Sequence, residues 1–358
     1  MTIAEDPPRR RVTRDDVARY AGVSTAVVSY TLNSGPKKVA PATKARVQEA
    51  IRVLGYRPNA AARTLKLGST KMLGLIVPDS SNPFFAQFGH ALEDAAAERG
   101  YALIIVNSDG PGEELIQSIR NLASRQVDGM LITAQVAMAD LAAISEASTR
   151  TVLLNQSSAV EGISAIGPEL YEGAHTAVRH LIQHGHTRIG FVGDPRASDE
   201  RQRGWRDALT AAGLAAGPIA GASFSREGGY AAGHTLLASE GRPTAVFVSS
   251  DMQAVGVLRA MHEAGITLPD EMAIVSFDGS PDSEYSWPAL TTVRQPVTAM
   301  AVDAIERLVA KAAPTRFTRY PTELIVRQSC GCRYPYGADA KGGRTSRPDA
   351  NTSSVRRR

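Results

Sequence analysis

The chain has 358 residues, of which 43% are hydrophobic and 21% are charged. This length is more than one ordinary core requires, so two or three folded domains are expected. No run of 18 uncharged apolar residues occurs, and residues 1–11 lack the apolar centre of a signal peptide. These features exclude membrane-spanning and secreted proteins, and we expect a cytoplasmic protein with no membrane partner.

The net charge of +4 conceals an uneven distribution along the chain. Residues 1–68 contain 13 Lys and Arg against 5 Asp and Glu, whereas residues 69–332 contain 20 against 29. A basic segment attached to an acidic one indicates that the N-terminal part meets a polyanion, and nucleic acid is the usual one. A basic face that only meets solvent explains the charge equally well at this point.

Residues 12–58, here called the head, have the pattern of a helix-turn-helix domain. A first helix follows Thr13, which is a good N-cap residue, and Gly22 supplies a tight turn. Ser24 caps a second helix, and a third is predicted over about residues 41–54. In such a domain the second helix enters the major groove of DNA. The alternative is a small three-helix packing module.

The second helix carries the predicted base-reading side chains in its N-terminal half. Thr25 can hydrogen-bond a base edge, and Ala26 can contact a thymine methyl group. Ser29 and Tyr30 follow one turn later. Basic side chains of the head would bind phosphates, namely those of Arg14, Arg19, Lys37, Lys38 and Lys44.

The head is followed by the sequence PNAAARTLK, which predicts a short helix capped by Asn59. Two helical turns are marginally stable in water, so we expect this helix to form only when it is held. The run from Val12 through GYRPNAAARTL resembles the DNA-binding domain of the LacI/GalR family of bacterial transcription regulators. The resemblance extends over residues 12–332 and implies a DNA-binding homodimer.

By this resemblance the short helix is the hinge helix, which enters the minor groove of operator DNA beside its twin. Leu65 is then the apolar wedge that opens a base step, and Ala62 allows the two helices to approach. The predicted DNA contacts are those of Thr13, Thr25, Ala26, Ser29, Tyr30, Lys37, Asn59, Ala62, Arg63 and Leu65. A plain linker helix is the alternative. Ala40 departs from the family pattern, which has a capping Ser or Thr before the third helix.

Residues 71–332, here called the body, alternate short apolar runs with helical patterns. The strand-like runs are 72–78, 101–107, 129–133, 151–155, 188–193, 245–250 and 272–278. This alternation predicts an α/β fold, with parallel sheets covered by helices on both faces. The length fits two doubly wound sheets, about 71–155 and 167–290, better than one. Ligands of such folds bind beyond the carboxyl ends of the strands.

Polar and aromatic residues follow several of these strands. They are Asp79, Asn82, Phe84, Phe85, Arg201, Ser250 and Asp278. A polar crevice with aromatic walls suits a small polyhydroxylated or purine-like ligand. An ion-pair or helix-dipole role is the alternative for Arg201 and Asp278, and a core or dimer contact is the alternative for Phe85.

The body is similar to the effector-binding domain of the family, which itself resembles periplasmic sugar-binding proteins. The resemblance implies that Arg201, in R-x-x-G-W, and Asp278, in S-F-D, are the two polar anchors of the effector. It places Phe224 where a stacking aromatic is usual. Two departures, Ser250 for the common Asn and Glu169 for the usual Asp, leave the ligand open.

Three chain crossings between the lobes are expected, in residues 155–166, in residues 290–296 and before Thr322, and together they would form a hinge. The predicted organisation is a flexible leader (1–11), the helix-turn-helix head (12–58), the hinge helix and linker (59–70), the two-lobed body (71–332) and a disordered basic tail (333–358).

The pattern of the body is also compatible with two other classes of protein. A doubly wound enzyme is one, but no G-x-S-x-G, no Walker A and no G-x-G-x-x-G after a strand occurs, so no catalytic residue and no cofactor is expected. A soluble sugar-binding protein without a regulatory role is the other, and the basic head argues against it. The main hypothesis is a repressor whose affinity for operator DNA is controlled by a small-molecule effector bound between the lobes.

Cys330 and Cys332 are the only cysteines. Two cysteines cannot by themselves supply the four ligands of a structural zinc site, and a disulfide across one residue would be strained. We therefore predict reduced thiols and no metal. His184 and His186 flank a glycine before a strand, which suggests surface or capping roles.

Overall fold

The computed structural model describes residues 12–33, 38–57, 68–108, 112–134, 138–194, 199–310 and 314–332. The chain divides into two compact units, Met1–Thr70 and Lys71–Arg358, which contain the head and the body respectively. Over the described ranges, no helix combines the length and the apolar character needed to cross a membrane.

The head consists of three helices, α1 (Arg14–Ala21), α2 (Thr25–Asn33) and α3 (Pro41–Leu54). They agree with the helices predicted from the sequence, and local signals specify the start and end of α1 and the end of α3.

The first turn of the head shows these signals directly. The Thr13 hydroxyl accepts a hydrogen bond from the Asp16 backbone N–H, and the Asp16 carboxylate accepts one from the Thr13 N–H. This reciprocal pair is a capping box. Gly22 ends α1 with a φ of 64°, which a residue with a side chain rarely adopts. As expected from the sequence, Ala40 gives α3 no side-chain cap.

The first lobe of the body has a six-stranded parallel sheet. Its strands are β1 (Met72–Val77), β2 (Ala102–Asn107), β3 (Gly129–Ile132), β4 (Thr151–Leu153), β5 (Ser164–Pro168) and β11 (Phe317–Tyr320). They lie in the order β11-β5-β4-β3-β1-β2. The helices of this lobe are α4 (Pro83–Ala97), α5 (Glu113–Ser124), α6 (Met138–Glu146) and α12 (Val297–Val309).

The second lobe repeats the plan. Its strands are β6 (Ile189–Gly193), β7 (Ile219–Gly221), β8 (Ala245–Val248), β9 (Ala273–Asp278), β10 (Thr291–Arg294) and β12 (Glu323–Ile325). They lie in the order β12-β10-β9-β8-β6-β7, and only the pairing of β12 with β10 is antiparallel among them. Its helices are α7 (Leu170–Gln183), α8 (Glu200–Ala211), α9 (Arg226–Leu237), α10 (Asp251–Glu263) and α11 (Asp282–Tyr285).

Each lobe has a hydrophobic core on both faces of its sheet. Strands covered on both faces are apolar throughout, as β8 (AVFV) shows, and this gives the continuous runs seen in the sequence. In the first lobe, Phe88 and Leu92 of α4 pack against Met300 and Ile305 of α12. The chain passes from β10 of the second lobe directly into α12, which packs in the first lobe, so this helix connects the two lobes.

The chain crosses between the lobes at residues 168–170, 294–297 and 320–323. The last two crossings lie at the end of the predicted segment 290–296 and before Thr322, as expected. The crossing predicted in 155–166 is wrong, because β5 (Ser164–Pro168) still belongs to the first sheet. It pairs with β4 and β11, which are distant in sequence, so the short run SAIGP gave no local indication of its place.

Helices α9 and α10 of the second lobe touch through their backbones. A Cβ atom added to Gly256 would lie 2.0 Å from the carbonyl oxygen of Arg226, and one added to Gly229 would lie 2.0 Å from that of Gln253. This close approach fixes the loops that precede the two helices, which carry Phe224 and Ser250.

We expect Gly256→Ala to lower the free energy of unfolding of the body by about 1–3 kcal/mol, since the added methyl group forces the helices apart. Urea unfolding of the full chain, followed by circular dichroism, measures this. Gly89→Ala in α4 is the matched control, because its Cβ would make only ordinary contacts at 3.5 and 3.8 Å. The control should gain up to about 1 kcal/mol from helix propensity. Equal losses in both variants would contradict the close packing of α9 on α10.

Candidate functional site

The predicted base-reading residues lie on the outward face of α2. Thr25 and Ala26 are exposed in its first turn, and Ser29 and Tyr30 are half-buried one turn later. Val28, on the opposite face, is fully buried in the core of the head. Because an exposed N-terminal turn is the part of a recognition helix that reaches base edges, this orientation suits the predicted contacts.

The other predicted DNA contacts fall into two groups. The Thr13 hydroxyl is occupied in the capping box, where it donates to Asp16 Oδ2 at 2.7 Å. Lys37, Asn59, Ala62, Arg63 and Leu65 lie outside the described residues, so their roles stay predictions. The side chains of Lys38 and Lys44 are exposed, and Arg19 pairs with Asp16 at 3.4 Å.

In the body, the guanidinium of Arg201 is held on several sides. Its Nε donates to both carboxylate oxygens of Asp199, at 3.0 and 2.9 Å, and its Nη1 donates to the Ser249 carbonyl at 2.8 Å. Two rings flank it, with the guanidinium carbon 5.0 Å from the centroid of Phe224 and 5.6 Å from that of Phe277. Nη2 has no acceptor among the described residues, which leaves one nitrogen for a ligand.

The rest of the R-x-x-G-W motif is structural. A Cβ on Gly204 would lie 2.4 Å from the carbonyl oxygen of Tyr171, so glycine is needed where α8 crosses α7. Trp205 is fully buried and donates from Nε1 to the Ile189 carbonyl at 3.2 Å. The motif thus docks α8 against α7 and β6, and this fixes the position of Arg201.

Asp278 lies at the carboxyl end of β9, only 6% exposed, with a φ of 114° that non-glycine residues rarely adopt. Its Oδ1 accepts from Gln295 Nε2 at 2.8 Å, and its carbonyl accepts from the Gln295 N–H at 3.1 Å. Burial, and next the charge of Asp251, raise the pKa of Asp278 well above its usual value, while the nearby Arg201 opposes this. A backbone strained at a strand end, with a buried carboxyl, is typical of a ligand site.

Asp251, at the start of α10, is buried among donors of its own lobe. Its Oδ1 accepts from the hydroxyls of Ser276 and Thr292, at 2.6 and 2.7 Å, and its Oδ2 accepts from the Ser280 N–H at 2.6 Å. Burial raises its pKa, and these hydrogen bonds counteract the shift. The residue therefore positions the loop after Asp278 rather than offering itself to a ligand.

Several predicted ligand contacts are used by the protein itself. Ser250 is buried and caps α10, where its hydroxyl bonds the side chain and N–H of Gln253. Asn82 is buried and caps α4. Phe84 is 3% exposed and packs in the core of the first lobe, so the prediction that its ring walls the ligand crevice is wrong. Ser and Asn are favoured both as caps and as ligand contacts, and the sequence does not separate these roles.

The remaining predicted residues are more open. Asp79 accepts from the N–H and hydroxyl of Ser81, at 2.8 and 2.9 Å, and is partly exposed. Phe85 is half-buried and meets Phe84 edge-on, with ring centroids 5.2 Å apart. Phe224 is 36% exposed beside Arg201.

The structure thus gathers Arg201, Phe224 and Asp278 at the carboxyl edge of the second sheet. Two supporting residues, Asp199 and Gln295, were missed in the sequence. Asp199 both caps α8 and pairs with Arg201, and Gln295 joins Asp278 to a lobe crossing. A carboxylate two residues before the predicted anchor was the available signal for Asp199, whereas nothing in the sequence indicated Gln295.

Comparison with known proteins decides the family. Residues 13–59 match the model of bacterial regulatory proteins of the lacI family, and residues 178–330 match a periplasmic binding protein-like domain. The HTH-type transcriptional repressor PurR of Mannheimia succiniciproducens is 32% identical over 328 residues, which cover 88% of this chain and 98% of the relative. The chain belongs to the LacI family.

Solved structures of the LacI family agree. The lac repressor dimer bound to operator and the anti-inducer ONPF has a TM-score of 0.79 and 26% identity, covering 90% of this chain and 99% of that one. The transcriptional regulator CelR in its cellobiose complex has a TM-score of 0.66 and 28% identity, covering 89% and 100%. The predicted family, α/β fold and function, a DNA-binding repressor controlled by a small molecule, are confirmed.

We expect Asp278→Asn to stabilise this LacI-family protein at neutral pH. The folded-state pKa of Asp278 lies above the unfolded value of about 3.9, so the folded chain binds the proton more tightly. Its ionisation therefore costs stability as pH rises from below the unfolded pKa towards the folded one. Asn keeps an oxygen for Gln295 without the charge.

Thermal unfolding of the two proteins between pH 4 and pH 8 tests this expectation. At pH 7 the variant should melt about 2–4 °C higher, the shift that about 1 kcal/mol produces in a domain of this size, and the difference should shrink towards pH 4. Asp270→Asn, at an exposed site, is the control and should change nothing. A difference that grew with acidity would contradict the direction of the pKa shift.

Proposed function

We propose that the chain represses transcription by binding operator DNA as a homodimer through α2 of each head. A small polar effector, bound by Arg201, Phe224 and Asp278, controls that binding. The observation that carries the effector site is the Arg201 guanidinium, which is fixed by Asp199 and the Ser249 carbonyl between two rings and keeps Nη2 for a ligand.

The charges around Arg201 indicate the class of effector. One buried guanidinium lies near two buried carboxyl groups, those of Asp199 and Asp278, and the buried carboxyl of Asp251 lies next to Asp278. These surroundings have more acidic groups than basic ones, which disfavours a phosphorylated or carboxylated ligand. A neutral molecule with several hydroxyl or amino donors and a flat face for Phe224 fits, and sugars and purines meet both conditions. The cellobiose complex of CelR is consistent with a sugar.

The route from effector to DNA begins at the lobe crossings. Gln295, which donates to Asp278, lies in the crossing 294–297, so a ligand at Asp278 acts next to a connection between the lobes. A second link joins the lobes directly, because Arg319 of β11 lies 3.4 Å from Glu200 of α8. Rotation of the lobes would break or rearrange these contacts.

Control requires only that the effector prefers one lobe arrangement. DNA affinity then changes by the ratio of effector affinities for the two arrangements and by no more. Induction and corepression differ only in which arrangement is preferred. We propose no catalytic activity for the site, and we place the protein's action in the cytoplasm, where bacterial DNA lies.

We expect Thr25→Ala to weaken binding to a specific operator about fivefold, which corresponds to the loss of one hydrogen bond of about 1 kcal/mol. Gel retardation of promoter fragments near the protein's own gene, at low ionic strength, measures it. Gln48→Ala is the matched control, since Gln48 is an exposed polar residue of α3 and not of the recognition helix. Unchanged affinity in Thr25→Ala would remove this residue from base reading, and no retardation of any fragment by the wild type would refute the proposed repressor.

We expect Arg201→Lys to lower effector affinity at least about tenfold while DNA affinity in the free state stays within about twofold. Lys keeps a cation beside Asp199 but lacks the planar fork of Arg. A thermal-shift screen of sugars and purines on the full chain finds the effector, and titration of both proteins gives the ratio.

Arg120→Lys serves as the control, because Arg120 is an exposed residue of α5 in the other lobe. The assignment fails if the variant binds the effector as tightly as the wild type does. Loss of DNA binding by Arg201→Lys without effector would instead show that Arg201 is a structural ion pair.

A further inference from the structure

The C-terminal end of α7 meets the last described residues of the chain. His180 and His184 are four residues apart and therefore lie on one face of the helix end. Cys330 and Cys332 flank Gly331, whose φ of 90° lets the two thiols approach the same point. The His180 Nε2 atom lies 3.2 Å from Cys330 Sγ and 3.7 Å from Cys332 Sγ, and His184 Nε2 lies 3.2 Å from Cys332 Sγ.

We propose that these four side chains form a structural Cys₂His₂ site for Zn²⁺. All four potential ligand atoms lie within 4.8 Å of one another. A tetrahedral zinc ion with bonds of about 2.3 Å to sulfur and about 2.0–2.1 Å to nitrogen separates sulfur from nitrogen by about 3.6 Å. Three of the four sulfur–nitrogen separations are 3.2–3.7 Å and bracket this value. The fourth is within 4.8 Å, so movements of roughly 1 Å would bring all four atoms onto one ion.

From the sequence we predicted no zinc site, because two cysteines cannot supply four ligands, but this argument does not hold in the folded chain. Two cysteines supply only two ligands, but the fold brings two histidines to them across nearly half the chain. Both cysteines are free thiols, as predicted, so neither is consumed by a disulfide. The i, i+4 pair HLIQH was the signal in the sequence, since two histidines at this spacing on a helix often share one zinc ion.

A buried hydroxyl supports one of the ligands. Thr291 Oγ1 accepts from the Arg327 N–H at 2.8 Å, and this turns its own proton towards Cys330 Sγ, 3.0 Å away. Hydrogen bonds from neighbouring groups commonly orient the ligands of a metal site, and the Thr291 hydroxyl would do so for Cys330. Cys330 is buried, whereas His184 is exposed, so the site is closed towards the core and open for the entry of an ion.

Without metal, the same contacts are hydrogen bonds between neutral groups. Burial and the neighbouring Cys330 raise the pKa of the Cys332 thiol to about 11, and burial lowers the pKa of His180. Zinc would displace the thiol protons and receive neutral imidazoles, which are the forms that it binds. The experiment must therefore distinguish a zinc site from this hydrogen-bonded cluster.

The location assigns the site a role in stability. Cys330 packs in the core of the second lobe with Leu181 and Ile189, so the ion would fasten the end of the body to α7. The crossing 168–170 lies at the other end of α7, about 15–20 Å away along the helix.

The test uses the full chain, purified without a polyhistidine tag, incubated with ZnSO₄ and dialysed. Zinc is measured by mass spectrometry of the metal, and Co²⁺ is substituted to record its absorption spectrum. We expect about one zinc per wild-type chain and the intense visible bands of tetrahedral Co²⁺ with thiolate ligands. Cys332→Ser and His184→Ala should each retain at most about one tenth of that zinc. His90→Ala, at an exposed histidine of the first lobe, is the matched control and should retain all of it.

Thermal unfolding provides a second readout. A chelator should lower the melting temperature of the wild type and of His90→Ala, but not that of Cys332→Ser. The proposal is overturned if the wild type retains no zinc, if the folded variants retain as much as the wild type, or if the purified chain holds a Cys330–Cys332 disulfide. An unchanged circular dichroism spectrum at room temperature shows that the variants are folded, and His184→Ala alters only an exposed side chain.

Discussion

The effector half of the molecule depends on one buried cation, the Arg201 guanidinium. Removing it from water is costly, and Asp199 offsets that cost with a two-oxygen contact that also caps α8. The docking of α8 by Gly204 and Trp205 then sets where the guanidinium points. Asp199, Gly204 and Trp205 therefore all help to fix the Arg201 guanidinium. If Arg201 binds the effector as proposed, a planar guanidinium fixed in this way would select ligands by geometry as well as by charge.

Asp278 also lowers the stability of the folded chain, but for a different reason. Its positive φ and its buried carboxyl both oppose folding. Natural sequences break local rules of this kind at functional sites and compensate elsewhere. Here the compensation is local: Gln295 and the N-terminus of α10 bind the carboxyl, and Asp251 holds the loop that follows it. Because Gln295 belongs to the crossing 294–297, the same hydrogen bond connects Asp278 to a link between the lobes.

The sequence predicted what local patterns determine. The three helices of the head follow from Thr13, Gly22 and the apolar spacing, and the two-sheet body follows from buried strands between helices. The prediction from the sequence failed where the position of a residue or strand depends on contacts with distant parts of the chain. Strand β5 is a short run whose place comes from β4 and β11, and the ring of Phe84 is buried because α12 returns from the other lobe. Ser250 and Asn82 show a different limit, since one residue type can cap a helix or bind a ligand.

The cysteine–histidine cluster was missed for both of these reasons: it depends on distant parts of the chain, and its residue types have more than one common role. Each half is a weak pattern, an i, i+4 histidine pair on a helix and a C-x-C near the end of the body, and neither half supplies four ligands. Only β12, which runs antiparallel to β10, brings the second half beside the end of α7. The same chain segment contributes Arg327 and Ser329, whose buried hydrogen bonds to Leu290 and Ile274 already hold it in place. A metal ion at Cys330 and Cys332 would therefore meet ligands that are largely preorganised, and its binding energy would add to the stability of the second lobe rather than be spent on ordering the segment.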